Sequence, residues 1–117
     1  MVAATPLPIR PVADSVFVAP QLTPDDMAEA ARAGFRSVVN NRPDCEGGPG
    51  QPSNAAMAAA AAAAGLQYHH LPVNGAYQSP QEIAAFAALL AELPRPLLAF
   101  CRSGARSTRL YLAATAG

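Results

Sequence analysis

Apolar residues recur along this chain with two different periods, and the switches between them mark out its elements. Short apolar runs at residues 9–12 (IRPV) and 15–19 (SVFVA) flank Ala13-Asp14, a pattern that predicts a hairpin or bent strand. "PQLTPDDMAEAARAGF" then changes to a helical period. Thr23 suits the N-cap, Pro24 the first helical position, and Asp25 and Asp26 the positive end of the helix dipole. Leu22, Met27, Ala30 and Ala31 form its buried stripe, and Gly34 ends it. A strand is predicted at 35–39 (FRSVV), closing into the loop "NNRPDCEGGPGQPSN", which is too rich in Gly and Pro for regular structure. Ser53 or Asn54 caps the next helix. Nine of the ten residues 55–64 are alanine, so its helix propensity is high and its face nearly flat, and Gly65 stops it.

The second half repeats the alternation. Residues 66–73 (LQYHHLPV) read as a strand and "NGAYQSP" as a loop, after which Ser79 caps a helix with Pro80 at its first position. Ile83, Phe86, Ala87, Leu90 and Leu93 fall on one face of that helix. "LLAFC" (97–101) is a continuous apolar run, as expected of a strand buried on both faces. A last helix is predicted from Ala105 or Arg106 onward. Strand and helix in alternation predict an α/β fold, a central mainly parallel sheet of four to five strands flanked by helices. In such sheets ligands bind beyond the carboxyl ends of the strands. Cys101 stands at that end of the most apolar strand.

Composition narrows the class. With 117 residues the chain reads as one domain over 1–117, its first eight residues expected to be flexible. An apolar share of 51% against 14% charged excludes a disordered chain. The eight cationic side chains, all arginine, balance eight Asp and Glu, which argues against non-specific nucleic-acid binding. Residues 58–64 are too short and too weakly apolar to span a bilayer, so no membrane partner is expected, and the N-terminus lacks the features of a signal peptide. Two cysteines make no disulfide framework, which points to a reducing, cytoplasmic setting. His69 and His70 are adjacent and face opposite sides of a strand, with no zinc-like spacing around them, so neither a metal site nor a cofactor is expected.

The chemistry concentrates in "AFCRSGARST", residues 99–108. A tight turn from strand to helix leaves successive backbone N–H groups free to converge on an anion. Gly104 permits a positive φ, and the start of the last helix adds partial positive charge. Arg106 supplies a planar fork for an oxyanion, Arg102 a second cation near the mouth, and Ser107 a hydroxyl for the thiolate or the anion. These groups lower a thiol pKa, and the thiolate is the nucleophile. Cys101 and Arg106 are therefore the candidate catalytic pair, with residues Arg102, Ser103, Gly104, Ala105 and Ser107 lining the anion site. The bland alternative is a buried structural cysteine with solvated arginines, and it leaves arginine at the electrostatically wrong end of a helix. Arg42, in "NNRPD" at another strand end, is a further anion ligand, with Asp44 orienting it, the anion or Arg106. Asn74 is an accessory donor, Tyr77 a pocket wall, and Cys45 an incidental or resolving thiol in a mobile loop.

"CRSGAR" resembles the six-residue loop of rhodanese-type sulfurtransferases, in which the cysteine carries sulfane sulfur as a persulfide. Over residues 9–112, "FVAPQLTPDDMAEAARAGFRSVVNNRPD", "YHHLPV" and "LLAFCRSGARS" resemble the phosphatase-like domain of beta-lactamase-hydrolase-like proteins. That resemblance implies the fold of dual-specificity and tyrosine phosphatases, with a rhodanese-like fold as the alternative. Members fused to a metal-dependent hydrolase-like domain imply a sulfur-oxidising partner.

Two departures bear on the reaction. Cysteine phosphatases carry His-Cys-x5-Arg, whereas here Phe100 precedes Cys101 and only four residues separate Cys101 from Arg106. "LPVNGAYQSP", the loop that by resemblance should hold the general acid, has no acidic residue, and Asp44 or Glu46 substitutes only if its loop folds over Cys101. The expected function is thus sulfur transfer: Cys101 takes sulfane sulfur from a small sulfur-containing anion or persulfide donor and passes it to a thiol acceptor. The alternatives are a cysteine phosphatase working through a Cys101 phospho-enzyme and a non-catalytic anion- or persulfide-binding module.

Overall fold

The computed structural model describes residues 7–116. Two short antiparallel strands, β1 (Arg10–Ala13) and β2 (Val16–Ala19), form the expected hairpin at one side of the sheet. Helix α1 (Pro24–Arg32) starts at Thr23, where Asp26 accepts from the Thr23 N–H in a capping box, and it buries Met27 and Ala30. β3 (Ser37–Asn40), α2 (Asn54–Ala63), β4 (Gln67–His70), α3 (Pro80–Glu92), β5 (Leu97–Phe100) and α4 (Ala105–Thr115) follow. Ser53 caps α2 by accepting from the Ala56 N–H, and Ser79 caps α3 by accepting from the Glu82 N–H. Among the described residues no helix is long and apolar enough to cross a membrane.

The sheet runs β1-β2-β5-β3-β4, with every pairing after the hairpin parallel. The expected α/β architecture is the one observed. β5 is its centre, flanked on both edges, and all four of its residues are buried. Its side chains alternate between faces. Leu98 and Phe100 join Leu22, Met27, Val38 and Met57 under α1 and α2, while Leu97 and Ala99 join Val16, Val39, Phe86 and Leu110 under α3 and α4. That two-sided burial explains the unbroken apolar run, and each fully buried large side chain contributes roughly 1.5–3 kcal/mol.

Several element bounds differ from the sequence reading. The third strand begins at Ser37, because the Phe35 N–H still closes the end of α1 on the Ala30 carbonyl. The fourth ends at His70: it is an edge strand, and Pro72 has no N–H to continue a ladder. The breaker-rich loop contains one turn of 3-10 helix at Gly48–Gly50. Of the stretch expected to be flexible, residues 1–6 lie outside the described residues, and Leu7 packs against the core.

Register now decides where the chemistry sits. Ala19, Phe100, Asn40 and His70 lie at the carboxyl ends of adjacent parallel strands and pair with one another across the sheet. The segments that leave them, at 20–23, 101–104, 41–53 and 71–79, therefore meet at one edge.

Candidate active site

Cys101 leaves β5 with its N–H donating to the Ala19 carbonyl at 3.3 Å, and its side chain is buried. The chain then turns back through Gly104 at φ +91°, a conformation that L side chains rarely adopt. The turn aims the Gly104 N–H at Cys101 Sγ, 3.0 Å away. Burial alone would push the thiol up. The N–H and hydroxyl of Ser107 and the N–H groups of Ser103 and Gly104 outweigh it, and the thiol is held below its ordinary value. Ser107 has one hydroxyl proton, which it donates to Asn41 Oδ1 at 2.8 Å, so Asn41 competes with the sulfur for it.

Arg106 is buried, and its five N–H groups can be followed one by one. Nη1 donates to Glu46 Oε2 and to the Val73 carbonyl, each at 3.0 Å, and Nη2 donates to Glu46 Oε1 at 3.0 Å. Glu46 thus takes the end of the fork. Nε, buried and without a partner, remains together with the second Nη2 hydrogen, and these form the side-on fork. A buried guanidinium N–H left unpaired is costly, and an oxyanion is the group that satisfies such a fork. Arg106 lines a cleft of about 590 Å³ that it shares with Arg42, Glu46, Gly47, Asn74, Gly75 and Arg102.

Glu46 arrives there because its loop is pinned. Asp44 Oδ1 accepts from the Asn54 N–H at 2.7 Å, Gln51 bridges the Gly47 N–H and the Pro43 carbonyl, and Arg42 donates from Nε to Glu46 Oε1 at 2.9 Å. Arg106 first, and Arg42 after it, hold the Glu46 carboxyl below the usual carboxylate range against a smaller upward push from burial. The loop around Cys45 is held by these hydrogen bonds, with Cys45 itself exposed at φ 65°.

The residues singled out from sequence divide between the cleft and its surroundings, and Tyr77, expected as a pocket wall, is exposed and does not line it. Cys101, Gly104, Arg106 and Ser107 are buried, whereas Arg102, Ser103 and Ala105 are exposed along the loop; of these, Arg102 and Arg106 line the cleft. Arg42 lines the cleft, where it also supports Glu46: Nε donates to Glu46 and Nη1 to Gln21 Oε1 at 3.1 Å. Asp44 does not orient either arginine; it bonds to the backbone at the start of α2. Asn74 lines the cleft, and because its Oδ1 accepts from the Ala76 N–H at 2.7 Å its Nδ2 is free to donate. His70 donates through Nε2 to the Arg42 carbonyl at 2.8 Å, and His69 is exposed.

Sequence reasoning passed over several residues. Glu46 was read only as a substitute acid, and Asn41 had no role. Gly75 lies so close to Arg106 that an added Cβ would stand 3.0 Å from Nη2, and the exposed Arg109 donates to the Gly75 carbonyl at 2.7 Å. The one available signal was the cluster of small and polar residues after each parallel strand.

Known proteins resemble this chain in sequence and in fold. Residues 8–117 match the family described as the phosphatase-like domain of beta-lactamase hydrolase-like protein. The chain belongs to that family. A beta-lactamase hydrolase-like protein of Agrobacterium fabrum is 40% identical over 87 residues, 74% of this chain and 20% of that protein. The curated relatives are far longer, and the chain spans only about a fifth of their length. Among solved structures, a candidate phosphatase from Neisseria meningitidis superposes with a TM-score of 0.83 at 30% identity, covering 91% of this chain and 75% of that one. The core catalytic domain of a PP-IP phosphatase from S. cerevisiae has a TM-score of 0.64 at 11% identity, covering 88% and 60%, a likeness of fold alone. The phosphatase-like domain assignment and the cysteine-phosphatase-like fold stand. These likenesses support an enzyme of the phosphatase-like kind. They give no support to the sulfur transfer expected from the short loop.

Proposed function

We propose that the chain is a cysteine-dependent phosphatase for phosphomonoesters or related phosphoryl compounds whose leaving group is weakly basic. The observation that carries this reading is the side-on fork of Arg106, buried and unpaired at Nε. It lies in the element that presents Cys101 Sγ to N–H donors. The phosphoryl oxygens bond to this fork and to the loop N–H groups. The Cys101 thiolate attacks phosphorus, an S–P bond forms, and the P–O bond breaks with its electron pair leaving on oxygen. Water then attacks phosphorus, the S–P bond breaks, and the thiolate and inorganic phosphate are regenerated.

The leaving group follows from the carboxylates. Segment 71–79 has none, Glu46 is held ionised by two arginines, and Asp44 is engaged with the Asn54 N–H. Without a positioned acid the departing oxygen takes its proton from solvent, so aryl, acyl or anhydride leaving groups react and alkyl esters do not. In a series of aryl phosphates kcat/KM is expected to rise steeply as leaving-group pKa falls, and Cys101→Ser to abolish turnover. A flat series, or activity surviving Cys101→Ser, would sink the reading.

A second reading has one observation in its favour. The loop from Cys101 to Arg106 is a residue shorter than the phosphatase pattern, and sulfane-sulfur transfer needs no leaving-group acid. In that reaction the thiolate attacks the outer sulfur of thiosulfate or a persulfide, an S–S bond forms, and sulfite or a thiolate departs. Thiosulfate with cyanide, assayed beside p-nitrophenyl phosphate, separates the two. Cys101-dependent thiocyanate without phosphate release selects sulfur transfer.

A further inference from the structure

Arg106 and Arg102 line the same cleft but differ in every other respect. Arg106 is buried and largely committed to Glu46 and Val73. Arg102 is exposed, and its guanidinium has neither a hydrogen bond nor an ion pair among the described residues. The Arg102 backbone is fixed all the same, since its carbonyl accepts from the Gln21 N–H at 3.2 Å. Arg10 approaches the same turn from β1, its Nη2 3.5 Å from the place a Cβ on Gly104 would take. Arginine beside the start of a helix meets the positive end of the dipole, so a cluster there is unfavourable until anionic charge arrives. Glu46, the one carboxylate lining the cleft among the described residues, is already shared by Arg42 and Arg106. The cleft volume of about 590 Å³ lies in the range of small-molecule sites, roughly 300–1,000 Å³, and far exceeds one oxyanion.

We propose that Arg102 binds a second oxyanion of the substrate, carried a few bonds from the group that Cys101 attacks, so that the cleft selects bifunctional anions. Arg106 takes the reacting group through its side-on fork, and Asn74 Nδ2 and Arg102 take the distal one. The inference rests on the cleft being the substrate site, and holds for either electrophile.

The test reads binding, not turnover. Wild-type protein is alkylated with iodoacetamide, and protection of the Cys101 peptide is followed by mass, so that modification of Cys45 does not interfere. Protectants are methylphosphonate and the ω-phosphonocarboxylates with one, two or three methylenes. At least one carboxylate is expected to protect at about tenfold lower concentration than methylphosphonate, as a charge-assisted contact would give. Arg102→Gln is expected to bring that ratio close to one. If methylphosphonate protects but no carboxylate does better, or if the advantage survives Arg102→Gln, the second subsite is refuted while the anion cradle stands. If no compound protects Cys101, the cradle reading fails and the subsite falls with it.

Discussion

The side chains that matter most here are defined by which of their hydrogens are already spent. Glu46 binds the end of the Arg106 fork and leaves Nε, buried, without a partner. Glu46→Gln removes the charge that makes this pairing strong, so kcat/KM is expected to fall by about ten- to a hundredfold, mostly in kcat, with the fold retained by circular dichroism. The same pair has a signature in pH. The folded Glu46 carboxyl lies below its unfolded value, so its contribution to stability is complete above about pH 4.3 and is lost as pH falls through the lowered folded value. Urea titrations across that range should show the loss in wild type and a smaller one in Glu46→Gln. Cys101 is also held low, so its alkylation is expected to reach half its maximal rate at a lower pH than that of an ordinary thiol. Ser107→Ala removes a donor and should move that midpoint upward; an unmoved midpoint would mean that Asn41 keeps the proton.

At the scale of elements, two glycines do different work. Gly104, at φ +91°, folds the nucleophile loop back on its own cysteine, and an added Cβ would also press on the Ala19 backbone at 3.4 Å. Gly104→Ala is expected to cost about 1–2 kcal/mol and to raise the Cys101 thiol pKa, read by denaturation and alkylation together. Gly75 is not in that conformation; what it provides is room beside the Arg106 guanidinium. Gly75→Ala should leave the denaturation midpoint nearly unchanged and lower kcat/KM about tenfold or more, since a small misplacement at a reacting centre is costly. The segment 71–79 is tied to α4 by Arg106 through Val73 and by Arg109 through Gly75. It forms a wall of the cleft through Asn74 and Gly75 and carries no carboxylic acid.

For the molecule as a whole, β5 links stability to the site. Leu98 is fully buried between β2 and β3 and packs under α1 and α2. Leu98→Ala is expected to cost about 2–5 kcal/mol in urea denaturation. That is a large part of the roughly 5–15 kcal/mol available to a small domain, so activity should fall with the folded fraction. Strand register decides what meets Cys101, because it sets the carboxyl ends of β2, β5, β3 and β4 side by side.

Local physics made much of this legible without coordinates. The caps at Thr23, Ser53 and Ser79, the stops at Gly34 and Gly65, the two-sided burial of 97–100 and the turn at Gly104 depend on neighbours in the chain, and each was readable there. Cys101, Arg106 and Ser107 were legible as a unit for the same reason: they lie within seven consecutive residues. What the chain alone left undecided was pairing across distance. Asp44 and Glu46 are equally plausible partners for Arg106 when read in a row. Only the fold of 41–53 turns Asp44 to a helix start and Glu46 to an arginine sixty positions away. Which hydrogens of that arginine stay free for a substrate is a property of the assembled edge, because hydrogen bonds are allotted by proximity in space and not by order in sequence.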